Sequence, residues 1–253
     1  DTSLYLLRQP PSTAERRDIA RAGIRAAVDE GRFALYAQPL RDLELNRTTR
    51  HEILLRVLDE VGRPVAPSKF LELAEHVDEI LAVDKWVIEH ALRLIGHSSQ
   101  TSHYQINISG RSLADPLLLE HIRNSVTRHR VAPERLTIEI TETAAIGNIT
   151  IARRFADGVR ELGCQVALDD FGTGNTPLSF LTQLPVDLVK IDGSFIEGLP
   201  GSPALQAVVE GLVQTCQRLG ILTAAEYVQD DATLKLLRAY GVDFAQGFYV
   251  GEP

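Results

Sequence analysis

The sequence has no methionine, two cysteines, no long apolar run and a shortage of positive charge. Each of these shortages excludes something. Without a methionine there is no initiator, so the 253 residues read as a segment of a longer protein. Cys164 and Cys216 are too few for a disulfide framework and read as buried thiols in a reducing, cytoplasmic compartment. No apolar stretch approaches the ~20 residues a membrane helix needs. Asp1 opens a polar stretch and not a signal peptide, so no membrane contact is expected of this segment. A formal net charge of -8 argues against a general binder of nucleic-acid polymer, which needs a basic face to neutralise phosphates. Any phosphate ester bound here has to be attracted by something other than bulk charge.

What is present suits one large α/β domain or two small ones, with 44% hydrophobic and 24% charged residues. Residues 1–11, with a short apolar run and Gln9-Pro10-Pro11, read as a linker from an upstream module. Ser12-Thr13-Ala14-Glu15 has capping-box spacing and opens a helical pattern that runs to Gly31. Strand-like runs follow at Phe33–Leu40, Glu52–Val57, Tyr104–Ser109, Leu136–Thr141, Gln165–Asp169, Val186–Ile191, Leu222–Ala225 and Val242–Ala245. Amphipathic helical stretches such as Val83–Leu94, Ile151–Leu162, Ala204–Leu219 and Asp231–Tyr240 lie between most of them. Eight strands with interleaved helices predict a (β/α)8 barrel over residues 12–253. Between the first two runs there is only a short polar turn, Arg41 to Arg50, with no room for a helix. The prediction is therefore a modified TIM barrel whose first strand is antiparallel.

Alternation in Tyr104–Ser109 and Leu136–Thr141 turns Asn107 and Glu139 into the barrel, near its C-terminal mouth. Other strands deliver comparable groups at that level: Glu52, the pair Asp169-Asp170, Lys190, Glu226 and Gln246. Carboxylates gathered in a low-dielectric mouth do not all stay ionised without cations. Carboxylate and amide oxygens suit hard divalent ions such as Mg²⁺ or Mn²⁺, and the scarcity of histidine at these positions argues against zinc. Two such ions, bridged and flanked by an aspartate pair, drive in-line displacement at phosphorus. Taken singly, each residue has a plainer explanation. A strand-end acid caps the next helix, Lys190 snorkels past the rim, His51 faces outward as a structural residue, and Gly172 and Gly174 make a turn. The joint placement on most of the strands favours the metal reading.

In this order, the motifs YAQP (36–39), EILLR (52–56), INIS (106–109), EITET (139–143), DDFGTG (169–174), LPVDLVKIDGSFI (184–196), AAEYV (224–228) and AQGFYVGEP (245–253) resemble the EAL domain. That family contains the bacterial phosphodiesterases that linearise cyclic di-GMP. The resemblance implies that Glu52, Asn107, Glu139 and Asp169 hold one metal, and that Asp169, Asp170 and Glu226 hold or support a second. It implies that Lys190 contacts a metal-bound water and the scissile phosphate, and that Gln246 helps place that water. Gln38, Leu54 and Arg56 would hold the dinucleotide, Arg56 through a charge-assisted phosphate contact. Glu142 would anchor the glycine loop, and pGpG would be the product. A homodimer and an upstream GGDEF or sensory domain are the partners the resemblance suggests. Three departures stand out: Ile53 in place of the alanine of E-A-L, Tyr227 and Gln229 where the family usually has A-E-G-V-E, and Asn175-Thr176-Pro177 where Y-S-S is usual. None removes a metal ligand. The alternative from another class is a catalytically silent receptor for cyclic di-GMP that signals to a partner.

Overall fold

The computed structural model describes residues 13–59, 61–65, 67–98, 102–173 and 177–253. The linker expected over residues 1–11, the Ser12 cap, and Gly174, Asn175 and Thr176 of the glycine loop lie outside the described residues. Among the described residues no helix is long and apolar enough to cross a membrane.

Among the described residues the chain forms nine strands and nine α-helices. The strands are β1 Phe33–Asp42, β2 Arg47–Leu58, β3 Pro64–Val65, β4 His103–Ile108, β5 Leu136–Thr141, β6 Gln165–Phe171, β7 Leu188–Ile191, β8 Leu222–Ala225 and β9 Phe244–Ala245. The helices are α1 Thr13–Asp29, α2 Ser68–His76, α3 Ile80–His97, α4 Pro116–His129, α5 Glu142–Gly147, α6 Ile149–Glu161, α7 Gly193–Ile196, α8 Pro203–Leu219 and α9 Asp231–Tyr240. Strand order is β1-β9-β8-β7-β6-β5-β4-β2, and the β1–β2 pairing closes the ring, with β3 appended to β2. Strands β2 and β4 to β9 run parallel, while β1 is antiparallel to both β2 and β9. This is the modified TIM barrel with a reversed first strand that the sequence predicts.

Local chemistry explains the boundaries. Helix α8 begins behind Ser202, whose hydroxyl accepts from the Leu205 N–H, has Pro203 at its first position, and ends on Gly220 at φ 71°. Asp230 and Gly241 frame α9 in the same way. Strands β7 and β9 start later than expected, and β4 ends one residue earlier, where side chains take over ladder positions. The Val166 N–H donates to the Asp187 carboxylate, the Thr223 N–H to Asp243, and the Ser109 N–H to Asp84. The polar stretch 41–50 differs most from expectation. Its turn is only residues 43–46, tied by the Asp42 carboxylate to the N–H groups of Glu44 and Leu45, and Arg47 to Arg50 belong to β2. Polar residues are accepted in that strand because one of them, Arg50, is buried inside the barrel.

Two apolar layers hold the fold. The larger lies between the strands and the surrounding helices, and includes Ile53, Ile106, Ile138, Ile140, Val166, Leu168 and Val189 with their helical partners. The smaller, Leu40, Ala167, Leu188, Ala224 and Phe244, fills the interior near the N-terminal ends of the parallel strands. Arg50 joins this plug. Its guanidinium stacks 4.6 Å from the Phe244 ring centroid and donates to Gln165 at 3.0 Å. His51 faces outward against Tyr104, and both cysteines are free and buried, their thiols pushed up to about 12 by burial. With its lower half filled, the barrel leaves only its upper half for chemistry.

Candidate active site

Above the plug the inward positions turn polar in one step. Register places Gln38 beside Glu52, Asn107 beside Glu139, and Thr141 beside Asp169. At the centre stands the Lys190 ammonium, on a side chain only 1% exposed. It lies 3.1 Å from Glu52, 3.0 Å from Glu139, 3.0 Å from Asp169 and 2.8 Å from Glu226. Asn107 donates to the other Glu52 oxygen at 2.6 Å, and Gln246 donates to Glu52 Oε2 at 2.7 Å. Gln246 also donates to Gln38 at 3.2 Å, and Gln38 donates in turn to the Gly251 carbonyl.

The adjacent aspartates both face this cluster, which strict alternation forbids. Strand β6 resolves the conflict with a register irregularity between Leu168 and Phe171, while Asp170 adopts φ 55°. Aspartate is among the few non-glycine residues that enter that region readily, and such an irregularity re-aims a side chain. Carboxylate oxygens of Asp169, Asp170 and Glu226 thereby come within 4.8 Å of one another. The loop that follows is held from below, where the Gly172 N–H donates to Glu142 at 2.7 Å. Only glycine fits there: φ is 105°, and a Cβ would come within 2.3 Å of the Phe195 ring.

Burial and crowding shift the titrations. Desolvation, reinforced by Glu52 and Asp169, raises Glu139 well above the carboxylate range. Desolvation and Asp169 push Glu226 up to about 7 and Asp170 up to about 6. For Glu52, burial is outweighed by Lys190 and the amides of Gln246 and Asn107, so its value is lowered. For Lys190, burial favours the neutral amine, but the four carboxylates, Asp169 foremost, hold it firmly protonated.

These residues fit divalent cations. Five carboxylates against one ammonium leave a strong excess of negative charge when all are ionised. Among the described residues, the buried oxygens Glu139 Oε1 and Gln246 Oε1 have no hydrogen-bond partner. Hard oxygen donors, crowded and under-satisfied, are what Mg²⁺ or Mn²⁺ requires. Glu52, Glu226 and Gln246 of the cluster line a cavity of about 350 Å³, bounded also by Gln38, Leu54, Asp192, Tyr227, Gln229 and Phe248. Arg56 does not border this cavity; its guanidinium donates to the Leu55 carbonyl and lies 5.2 Å from the Tyr36 ring centroid.

Sequence reasoning missed a buried network behind the Asn107 strand end. Asp84 of α3 accepts from the Ser109 N–H at 3.2 Å, and Ser109 Oγ donates to Glu75 of α2 at 2.7 Å. Burial raises Asp84 to about 7. One signal was available: Asp84 is a lone acid on the apolar face of α3, between Val83 and Val87.

The EAL domain family model matches residues 21–253. The cyclic di-GMP phosphodiesterase PdeB of Shewanella oneidensis is 35% identical over all of this chain, which spans 29% of that relative's length. The chain likewise spans about a third of PdeA of Borreliella burgdorferi, a cyclic di-GMP phosphodiesterase 31% identical over 90% of this chain. Among solved structures, the FimX EAL domain of Pseudomonas aeruginosa bound to c-di-GMP superposes with TM-score 0.86 at 29% identity, covering 92% of this chain and 96% of that one. The PaMucR phosphodiesterase in its c-di-GMP complex gives TM-score 0.86 at 28% identity, covering 93% and 97%. With the family match, the reversed-strand barrel and the same motifs all converging on one acidic mouth, the chain belongs to the EAL domain family.

Proposed function

We propose that this domain hydrolyses one phosphodiester bond of cyclic di-GMP, releasing linear pGpG, with two Mg²⁺ or Mn²⁺ ions. The observation that carries the reading is Lys190, whose buried ammonium is surrounded by four carboxylates, two of which, Glu52 and Glu226, also line an open cavity. Glu52, Asn107, Glu139 and Asp169 would hold one ion, and Asp169, Asp170 and Glu226 the other. Bound there, the ions would polarise the phosphate and supply hydroxide at neutral pH.

The chain's own residues account for the remaining steps. Lys190 stays charged, so it can donate to a phosphate oxygen as negative charge develops in the transition state. Gln246 and Asn107 fix both oxygens of Glu52, which keeps that carboxylate aimed at the cluster. Glu142 holds the Gly172 backbone and with it the loop beside Asp169 and Asp170. Leu54 and Gln38 border the cavity where the dinucleotide would sit. Arg56 would have to leave the Leu55 carbonyl to reach a phosphate. The names of the relatives support this substrate, and their much greater length supports an upstream GGDEF or sensory module. A homodimer and a cytoplasmic site of action complete the proposal.

Turnover is tested by incubating the domain with cyclic di-GMP and Mn²⁺ and separating the products by chromatography. We expect pGpG from the wild type and none from Glu52→Ala. Undiminished hydrolysis by that variant overturns the assignment, and tight binding without pGpG assigns a receptor instead.

A further inference from the structure

Tyr227 follows Glu226 directly and holds its backbone at φ 57°. Bulky L-residues rarely occupy that region, because the Cβ crowds the neighbouring carbonyl. Strain of this kind persists where a site has a use for it. The residue is 51% exposed, so core packing does not account for it. Its side chain instead borders the cavity above the carboxylates, facing the same space as Phe248.

A neighbouring glycine makes room for it. At Gly193, the first residue of α7, a Cβ would come within 2.7 Å of Tyr227 Cβ and 3.2 Å of its Cγ. Without a side chain at 193, the phenol ring can sit against the first turn of α7 and remain on the cavity wall. An exposed aromatic ring beside a charged floor suits a ligand that is charged at one end and flat at the other. Purine nucleotides have that form, and a base stacked on an aromatic ring contributes substantially to affinity.

We propose that Tyr227 sets substrate affinity by stacking its ring on one purine base of the bound dinucleotide. This rests on the cyclic di-GMP reading given above. The phenol hydroxyl has no part in it. Loss of the ring therefore weakens binding without altering the chemical step, raising KM and leaving kcat near wild type.

The test is calorimetric titration of the full 253-residue chain with cyclic di-GMP in EDTA, which reads binding without turnover. Tyr227→Phe should bind like the wild type. Tyr227→Ala should bind about 5- to 20-fold more weakly, the lower part of the range for a base on an aromatic platform, since the ring is half exposed. Tyr227→Gly should lose the same affinity while melting no lower than the wild type, because glycine accepts the positive φ. Gly193→Ala should weaken binding in the wild type and have less effect beside Tyr227→Gly, where the crowding atoms are gone. If the wild type binds and Tyr227→Ala binds equally well, the stacking wall is overturned and the functional reading stands. If the wild type does not bind cyclic di-GMP, the functional reading fails and the stacking wall fails with it.

Discussion

Replacing Lys190 with methionine keeps the length of the side chain and removes the one cation from among four carboxylates. In the metal-free protein Glu52, Glu139, Asp169 and Glu226 then face one another with no compensating charge. Breaking a buried ion pair from one side costs about 3–5 kcal/mol, because the stranded charge cannot return to water. For a domain of this size that is a fall in melting temperature of roughly 6–20 °C. The deficit should narrow at pH 5, where the carboxylates can take up protons. Divalent cations should also offset it. A ligand at a hundred times its Kd stabilises by about 2.7 kcal/mol, and the variant should gain more than the wild type, since its cations no longer meet the ammonium. The assay is thermal melting of both proteins in EDTA and in Mn²⁺, at pH 5 and pH 8. Equal melting temperatures in EDTA, or an equal gain from Mn²⁺ in both proteins, would refute the reasoning.

Three further predictions rest on the same cluster and its support. Glu226 and Asp170 have folded values raised to about 7 and about 6, above those of an unfolded chain. A raised acid destabilises the fold when ionised, so the metal-free protein should become less stable as pH rises from 5 to 8. Protons and cations compete for the same oxygens, so Mn²⁺ affinity measured by titration should tighten on the order of 100-fold between pH 5.5 and pH 8. A flat affinity profile would show that these two groups are not ligands. Asp84→Ala strands the Ser109 N–H behind the strand that carries Asn107, and should cost about 1–3 kcal/mol in chemical denaturation together with a fall in kcat. Asp84→Asn keeps an acceptor at that position and should recover most of both; equal damage from the two variants would assign the site to charge and not to hydrogen bonding.

The barrel was legible because its strands carry their signals locally. Each is a short apolar run with a polar residue at its mouth end, and the missing helix between the first two runs betrays the reversed strand. The metal-compatible residues were legible for the same reason: Glu139, Asp169 and Glu226 stand at or beside strand ends. What escaped depends on partners distant in sequence. Arg50 looked like a turn residue, since Phe244 and Gln165, which make it a core residue, lie far along the chain. Asp84 and Glu75 looked like ordinary helical acids until Ser109 met them at the end of β4. The sequence marks the aspartates as a candidate ligand pair, but the backbone at φ 55° that lets both face one cluster has no signature in the letters themselves.

The reversed first strand also bears on the order of assembly. Pairing of β1 with β9 seals the ring through only two residue pairs, Arg41 with Ala245 and Asp42 with Phe244. Beside that seam, Gln246 donates to Gln38 and Glu52, and Gln38 donates to the Gly251 carbonyl. During synthesis on the ribosome, Glu52, Asn107 and Glu139 therefore emerge well before the lysine at 190 and the glutamine at 246 that they need. The nascent chain carries an acidic half-site that stays open until the segment around residue 250 arrives to latch it.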